Sequence, residues 1–365
     1  MTAFKIKLLI FGLLSTSIIS ATEISIEKKI GSMLMVGFHG TSVSQSSQIC
    51  NDIKNYNLAG VILFDYNPVD KTKPKNISSK VQVAALTNQL QACSKEHNLL
   101  ISVDQEGGKV QRLKSAYGFL GNFPTAKAVG EMSDADTLKI YTAMGKELKS
   151  VGINYDLAPV VDLAINPKNH VINGLQRAYS KDPKVVSHKA GLFIKAMNDT
   201  GVLTSLKHFP GHGSSEGDSH KGFVDVTNTW DKIELEPYKL LANKADSVMV
   251  AHVYNAKIDT LPASLSHATV TKLLRWKLGY KGVVITDDLQ MGAISQKYSL
   301  RDTLKLAIKA GDDILLFGNQ LDPKKIVATH TLVSTIKDLV DKKEVSSEEI
   351  NRAYVRVQKL KSELK

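Results

Sequence analysis

Eight short apolar runs rich in β-branched residues, with longer amphipathic stretches between them, predict an α/β chain closed into a single (β/α)8 TIM-type barrel with additional C-terminal helices. The runs are Met33–Gly37, Gly60–Phe64, Leu99–Val103, Ile153–Val160, Leu203–Lys207, Ser247–His252, Val283–Asp287 and Asp313–Phe317. They are nearly continuous in apolar residues, as strands buried on both faces must be. Val81–Glu96, Asp134–Val151, Val185–Thr200, Ala268–Leu278 and Leu300–Ala310 carry helical periodicity between them. An open doubly wound sheet is the competing arrangement, but no GxGxxG follows the first run, so the main sign of its dinucleotide-binding version is missing. Two further helices are expected after Asp322, the second opened by a capping box at Ser346-Ser347-Glu348-Glu349. No linker rich in Pro, Gly or Ser interrupts this order, so residues 22–365 are expected to form one barrel domain.

The first 21 residues have a different purpose. Lys5 and Lys7 precede an apolar run, Leu8–Leu14, and small and polar residues end at Ala21, the pattern of a cleaved export signal. The run is short of the roughly 20 residues that span a bilayer, so no membrane span is expected in the mature chain. The expected location is periplasmic or secreted. There Cys50 and Cys93 could form a bridge, and two free buried thiols is the equal alternative.

With Lys+Arg 47 against Asp+Glu 36 the chain carries +11, falling to +9 once Lys5 and Lys7 are removed. The lysines are mixed with acids on helix-like faces, and no basic stripe alternates with aromatics, so nucleic acid is excluded as a partner.

In a barrel the chemistry sits at the C-terminal ends of the strands, and those ends are unusually polar. The third run leads into Asp104-Gln105-Glu106-Gly107-Gly108, the fourth contains Asp156 and leads to Asp162, and the sixth and seventh end in His252 and Asp287-Asp288. The fifth opens a loop containing Lys207, His208, His212, Asp218 and His220. Helix capping explains any one of these acids but not so many strand ends together. A zinc site in the loop is disfavoured, because H-x3-H-x5-D-x-H is not a zinc spacing and Lys207 would repel the cation. Acid/base chemistry fits better, with Asp218 orienting His220 and raising its basicity. Asp287, at a strand end, is the matching nucleophile, and Asp288 beside it has the blander reading of a helix N-cap. A carboxylate opposite an acid/base group suits retaining glycoside hydrolysis, with Asp104, Arg112, Lys207 and His208 gripping hydroxyls.

The runs Lys207-His208-Phe209-Pro210-Gly211-His212-Gly213 and Asp218-Ser219-His220, with Asp104-Gln105-Glu106-Gly107-Gly108 and Thr286-Asp287-Asp288-Leu289-Gln290-Met291, resemble the β-N-acetylglucosaminidase branch of the family-3 glycoside hydrolases. Ala251-His252-Val253 and Pro262-Ala263-Ser264-Leu265-Ser266 extend the similarity, which covers roughly residues 27 to 320. The resemblance implies a barrel without metal or cofactor that removes terminal β-linked N-acetylglucosamine from peptidoglycan fragments or chitooligosaccharides. It implies Asp287 as nucleophile, His220 as acid/base, Asp218 as its partner, and sugar contacts from Asp104, Arg112, Lys207 and His208. Arg177 matches the family's arginine between the fourth and fifth strands, although its run is one residue longer and has Ala-Tyr for Ser-Phe. A monomer is expected. An exo-β-glucosidase on the same scaffold, or a silent envelope glycan-binding protein, are the alternatives.

Overall fold

The computed structural model describes residues 24–96 and 98–364; residues 1–21, which the sequence reads as an export signal, lie outside the described residues. Eight parallel strands form the barrel: β1 (Leu34–Gly37), β2 (Gly60–Ile62), β3 (Leu100–Val103), β4 (Tyr155–Asp156), β5 (Leu203–Phe209), β6 (Ser247–Val250), β7 (Val283–Thr286) and β8 (Leu315–Phe317). Each pairs with the next in sequence. The ring closes where β8 pairs with β1, Leu34 opposite Leu315, and where the bridge Ile285–Ile314 joins β7 to β8. All eight predicted runs thus become barrel strands.

The run around β4 is the one that shortens appreciably. Its ladder stops at Asp156, and only the bridge from Val160 to Lys207 resumes it, because Pro159 has no N–H to donate. The helices fall where the periodicity placed them. Asp134–Ser150 is capped by Ser133, Pro183–Thr200 by Asp182, and Leu300–Ala310 by Ser299, each side chain accepting from a first-turn N–H. The stretch Ala268–Lys277 is wound as a π-helix, a distinction that apolar spacing does not encode.

Side chains facing into the barrel, among them Met35, Ile62, Leu100, Tyr155 and Met249, form a packed core. Val357 and Leu360 belong to the same cluster. They come from the last helix, Ser347–Lys361, which closes the N-terminal mouth of the barrel, and Lys361 Nζ donates to the carbonyl of Leu58 at 3.0 Å. The expected capping box is formed, with Ser346 and Glu349 each satisfying the other's backbone N–H. The barrel is therefore sealed below and open above.

Cys50 and Cys93 are joined in a disulfide, which decides the question that the sequence left even. The bridge ties helix Gln48–Tyr56 to helix Lys80–Cys93 across a separation of 43 residues. A closed loop of that length contributes about 4 kcal/mol in the chain-entropy treatment.

Candidate active site

The C-terminal ends of the strands surround a cleft of about 640 Å³, and all eight residues nominated from the sequence line it. They fall into three structural groups.

The first is a network of buried charges on the floor. Asp104 and Glu106 flank Gln105, and the two-residue period of the short strand Gln105–Gly107 turns them to the same side. Lys207 Nζ, at the end of β5, lies 2.9 Å from Asp104 and 2.7 Å from Glu106. Arg177 makes a two-pronged contact with Glu106, Nε to Oε2 and Nη2 to Oε1, both at 2.8 Å. Arg112 reaches Asp104 at 3.3 Å. Burial by itself would raise both acids. Lys207 and Arg112 outweigh it at Asp104, and Arg177 and Lys207 at Glu106, so both carboxyls are held below their usual range. Lys207 is raised in turn, its desolvation outweighed by the two carboxylates. The floor is thus fixed and ionised, with polar groups turned toward the cleft.

Glu106 and Asp162 received no role from the sequence, although both stand in motifs that it singled out. Asp162 accepts from His208 Nδ1 at 2.6 Å and from the backbone N–H groups of His208 and His212, which directs the other nitrogen of His208 toward Arg177 at 3.4 Å. The alternation in Asp104-Gln105-Glu106 would have found Glu106; the partner of Asp162, His208, lies 46 positions away and is not visible locally. Asp156 is internal scaffolding: it accepts from the backbone N–H of Gln105 at 3.0 Å and is buried.

Removing one member of a buried ion network leaves its partners unpaired, so Glu106→Gln is expected to cost roughly 3–5 kcal/mol of stability, measured by urea unfolding. A carboxyl held lower in the folded than in the unfolded chain stabilises fully above its unfolded value and loses that contribution as the pH falls. Stability should therefore decline below about pH 4.5, less steeply in Glu106→Gln than in the parent.

The second group is the loop after β5. Gly213 lies so close to Leu163 that a Cβ would stand 2.0 Å from its carbonyl oxygen, and its N–H donates to buried Glu234 at 2.8 Å. His212, held low at about 4 by burial first and then by His208, is flanked by Ser215 at 2.7 Å and Ser219 at 3.4 Å. It anchors the loop. At the far end Asp218 Oδ1 accepts from His220 Nδ1 at 2.9 Å and from the His220 backbone N–H at 3.0 Å. These contacts outweigh desolvation and keep Asp218 below the usual carboxylate range. An ionised carboxylate only accepts, so Nδ1 carries the proton and Nε2 is left for a substrate. Each loop histidine thus turns to its own partner, and no cluster of three metal-ligating groups exists among the described residues.

The third group follows β7. Asp287 accepts from the backbone N–H of Asp288 at 2.8 Å. Burial would raise its pKa, but the imidazoles of His252, His208 and His220 together with that N–H outweigh it and hold Asp287 at about 2. Asp288 is not the helix N-cap that the sequence suggested. Its Oδ1 accepts from Gln290 N in a tight turn, and Met291 occupies the cap of the short helix Gly292–Ser295. Desolvation first, and the neighbouring Asp287 charge, push Asp288 up to about 6. Behind it His252 Nε2 donates to the Asp288 carbonyl at 2.9 Å, and Nδ1 lies 2.7 Å from the Ser264 hydroxyl. The loop and this strand end are stitched together: Gly292 N donates to the carbonyl of His220 at 3.2 Å and Ala293 N to that of Ser219 at 3.1 Å. That seam brings the Asp218–His220 pair to the cleft of Asp287.

An ionised carboxylate, an imidazole oriented by a second carboxylate and a charged floor are here gathered at the strand ends, where (β/α)8 scaffolds carry their active sites. The profile of the glycosyl hydrolase family 3 N terminal domain matches residues 25–360, and the chain belongs to that family. It is 34% identical over 339 residues to beta-hexosaminidase A of Pseudoalteromonas piscicida, covering 86% of this chain and 54% of that one. Among solved structures, a family 3 β-N-acetylglucosaminidase from Paenibacillus sp. str. FPU-7 superposes with a TM-score of 0.83 at 32% identity, covering 93% of this chain and 63% of the other. The β-N-acetylhexosaminidase of Beutenbergia cavernae superposes at 0.81 with 30% identity, over 93% of this chain and 99% of that one. The chain therefore spans about half the length of the Pseudoalteromonas relative and nearly all of the Beutenbergia one.

Proposed function

We propose that this protein is a retaining exo-β-N-acetylglucosaminidase that cleaves terminal β-linked N-acetylglucosamine from peptidoglycan fragments or related amino-sugar glycans. The observation that carries this reading is the arrangement of an ionised Asp287 and the Asp218–His220 pair around one cleft. The relatives named above, hexosaminidases by description, support the substrate class.

Asp287 attacks the anomeric carbon while His220 Nε2 protonates the departing oxygen, giving a covalent glycosyl-enzyme. His220, now neutral, takes a proton from water, which displaces Asp287 and releases the sugar with its configuration retained. The Asp218 carboxylate holds His220 Nδ1 at 2.9 Å and so turns Nε2 toward the departing oxygen. Asp104, Arg112, Lys207, His208 and Arg177 hold the sugar by charge-assisted hydrogen bonds, for which the fixed floor is already in place. The disulfide suits an oxidising compartment and so supports export.

The purified protein is expected to release 4-nitrophenol from the β-N-acetylglucosaminide and to prefer that substrate over the β-glucoside by at least about 100-fold in kcat/KM. A preference for the glucoside would replace this reading by the β-glucosidase one, and binding without turnover of either would mark a silent glycan-binding protein.

A further inference from the structure

A second groove, of about 390 Å³, lies at the other end of the barrel from the cleft. Helix Ala268–Lys277, the closing helix Ser347–Lys361 and the residues leading into β7 and β8 form its walls. Its composition differs sharply from an ordinary solvated surface.

Trp276 stands in it 65% exposed, one of two tryptophans in the chain, beside the ring of His267. An indole left in water is unfavourable unless something covers it, and tryptophan faces are good platforms for the C–H faces of sugars. Two of the arginines are already committed: Arg275 and Arg356 clamp the buried Asp313 from either side, at 2.6 and 2.7 Å. Lys281, Lys309 and Arg352 are not; none of them has an ion-pair or hydrogen-bond partner among the described residues. Glu349 is occupied in the capping box and neutralises at most one of these charges. Asp312 is buried, with both carboxyl oxygens lacking a hydrogen-bond partner. Burial, and then Asp313, raise it well above the usual carboxylate range, which favours its protonated, donating form.

The three features call for complementary chemistry in one ligand: an acid group for the free cations, a C–H face for the indole, and an acceptor oxygen for Asp312. We infer that this groove is a second, non-catalytic binding site for an acidic sugar unit bearing a carboxylate. The choice of a sugar over a nucleotide, which could also stack and carry negative charge, rests on the proposed glycosidase function. A site at this end cannot obstruct the cleft, so it suits retention of an anionic glycan while its ends are processed.

The test uses a hyaluronan tetrasaccharide with glucuronic acid at its non-reducing end, titrated calorimetrically into the full chain carrying Asp287→Asn so that nothing is turned over. Binding is expected, weakening at least about tenfold on Trp276→Ala and on Arg352→Ala, and weakening further as NaCl rises from about 50 to 300 mM. Neutral chitotetraose should bind with an affinity that neither substitution alters. Absence of tetrasaccharide binding, binding indifferent to both substitutions, or AMP binding as tightly as the tetrasaccharide would each overturn the assignment. Because binding is read without turnover, a chain that binds the acidic tetrasaccharide through Trp276 but hydrolyses no N-acetylglucosaminide refutes the proposed activity and keeps the site. Trp276→Ala in the otherwise unaltered protein should leave turnover of the 4-nitrophenyl substrate unchanged.

Discussion

Replacing Asp287 with Asn or Ala is expected to lower kcat on the 4-nitrophenyl N-acetylglucosaminide on the order of 10⁴-fold, with the protein still folded. The carboxylate is ionised at every working pH, being held at about 2, and it lies just past the end of β7 in the cleft. The transition state therefore has its negative partner in place before the substrate arrives. Azide supplies the decisive measurement. Added to Asp287→Ala, it should take the vacant place of the carboxylate, attack from the face opposite the leaving group, and yield the α-glycosyl azide. Recovery of a β-azide, or an Asn variant within about tenfold of the parent, would remove Asp287 from the role of nucleophile.

Replacing His220 with Ala should lower turnover of an unactivated substrate such as chitobiose by about 10²–10⁴-fold, the usual share of a positioned acid/base group. The first step on a 4-nitrophenyl substrate should suffer less, since that leaving group departs without protonation. Azide should now speed the second step, attacking the glycosyl-enzyme without a base and giving the β-azide, the opposite anomer from that of Asp287→Ala. Asp218→Asn should fall between the parent and His220→Ala, and should lower kcat more than it changes KM, because Asp218 acts on the imidazole rather than on the sugar. If His220→Ala turned over chitobiose at the parental rate, the acid would have to be sought elsewhere in the cleft.

The residues replaced in these variants stand out in the amino-acid sequence itself. Eight apolar runs carry strand periodicity in themselves, and the amphipathic stretches between them carry their helical phase, so alternation and count suffice for a barrel. The barrel rule then directs attention to strand ends, where Asp104, Lys207, His208 and Asp287 stand out because ionisable groups are rare beside continuous apolar runs. Asp288 misled for a definable reason: an acid before a short helix has the sequence signature of a cap, but its carboxyl is spent on Gln290 in the turn that precedes the helix. Glu106 escaped notice because its function is to hold Arg177 and Lys207, partners 71 and 101 positions away along the chain.

What the amino-acid sequence determined by itself was the set of chemical groups, the number of strands and their order, all of which follow from local pattern and from the right-handed βα connection. What only the tertiary structure decided was which of those groups meet. Gly292 and Ala293 bind the carbonyls of His220 and Ser219 and so carry the Asp218–His220 pair to the cleft of Asp287; Cys50 finds Cys93; and the last helix seals the barrel and leaves the basic groove beside it. These are contacts between segments far apart in the chain. Their energies depend on distances and burial that no residue pattern encodes, whereas a strand or a helix is repaid by neighbours a few positions away.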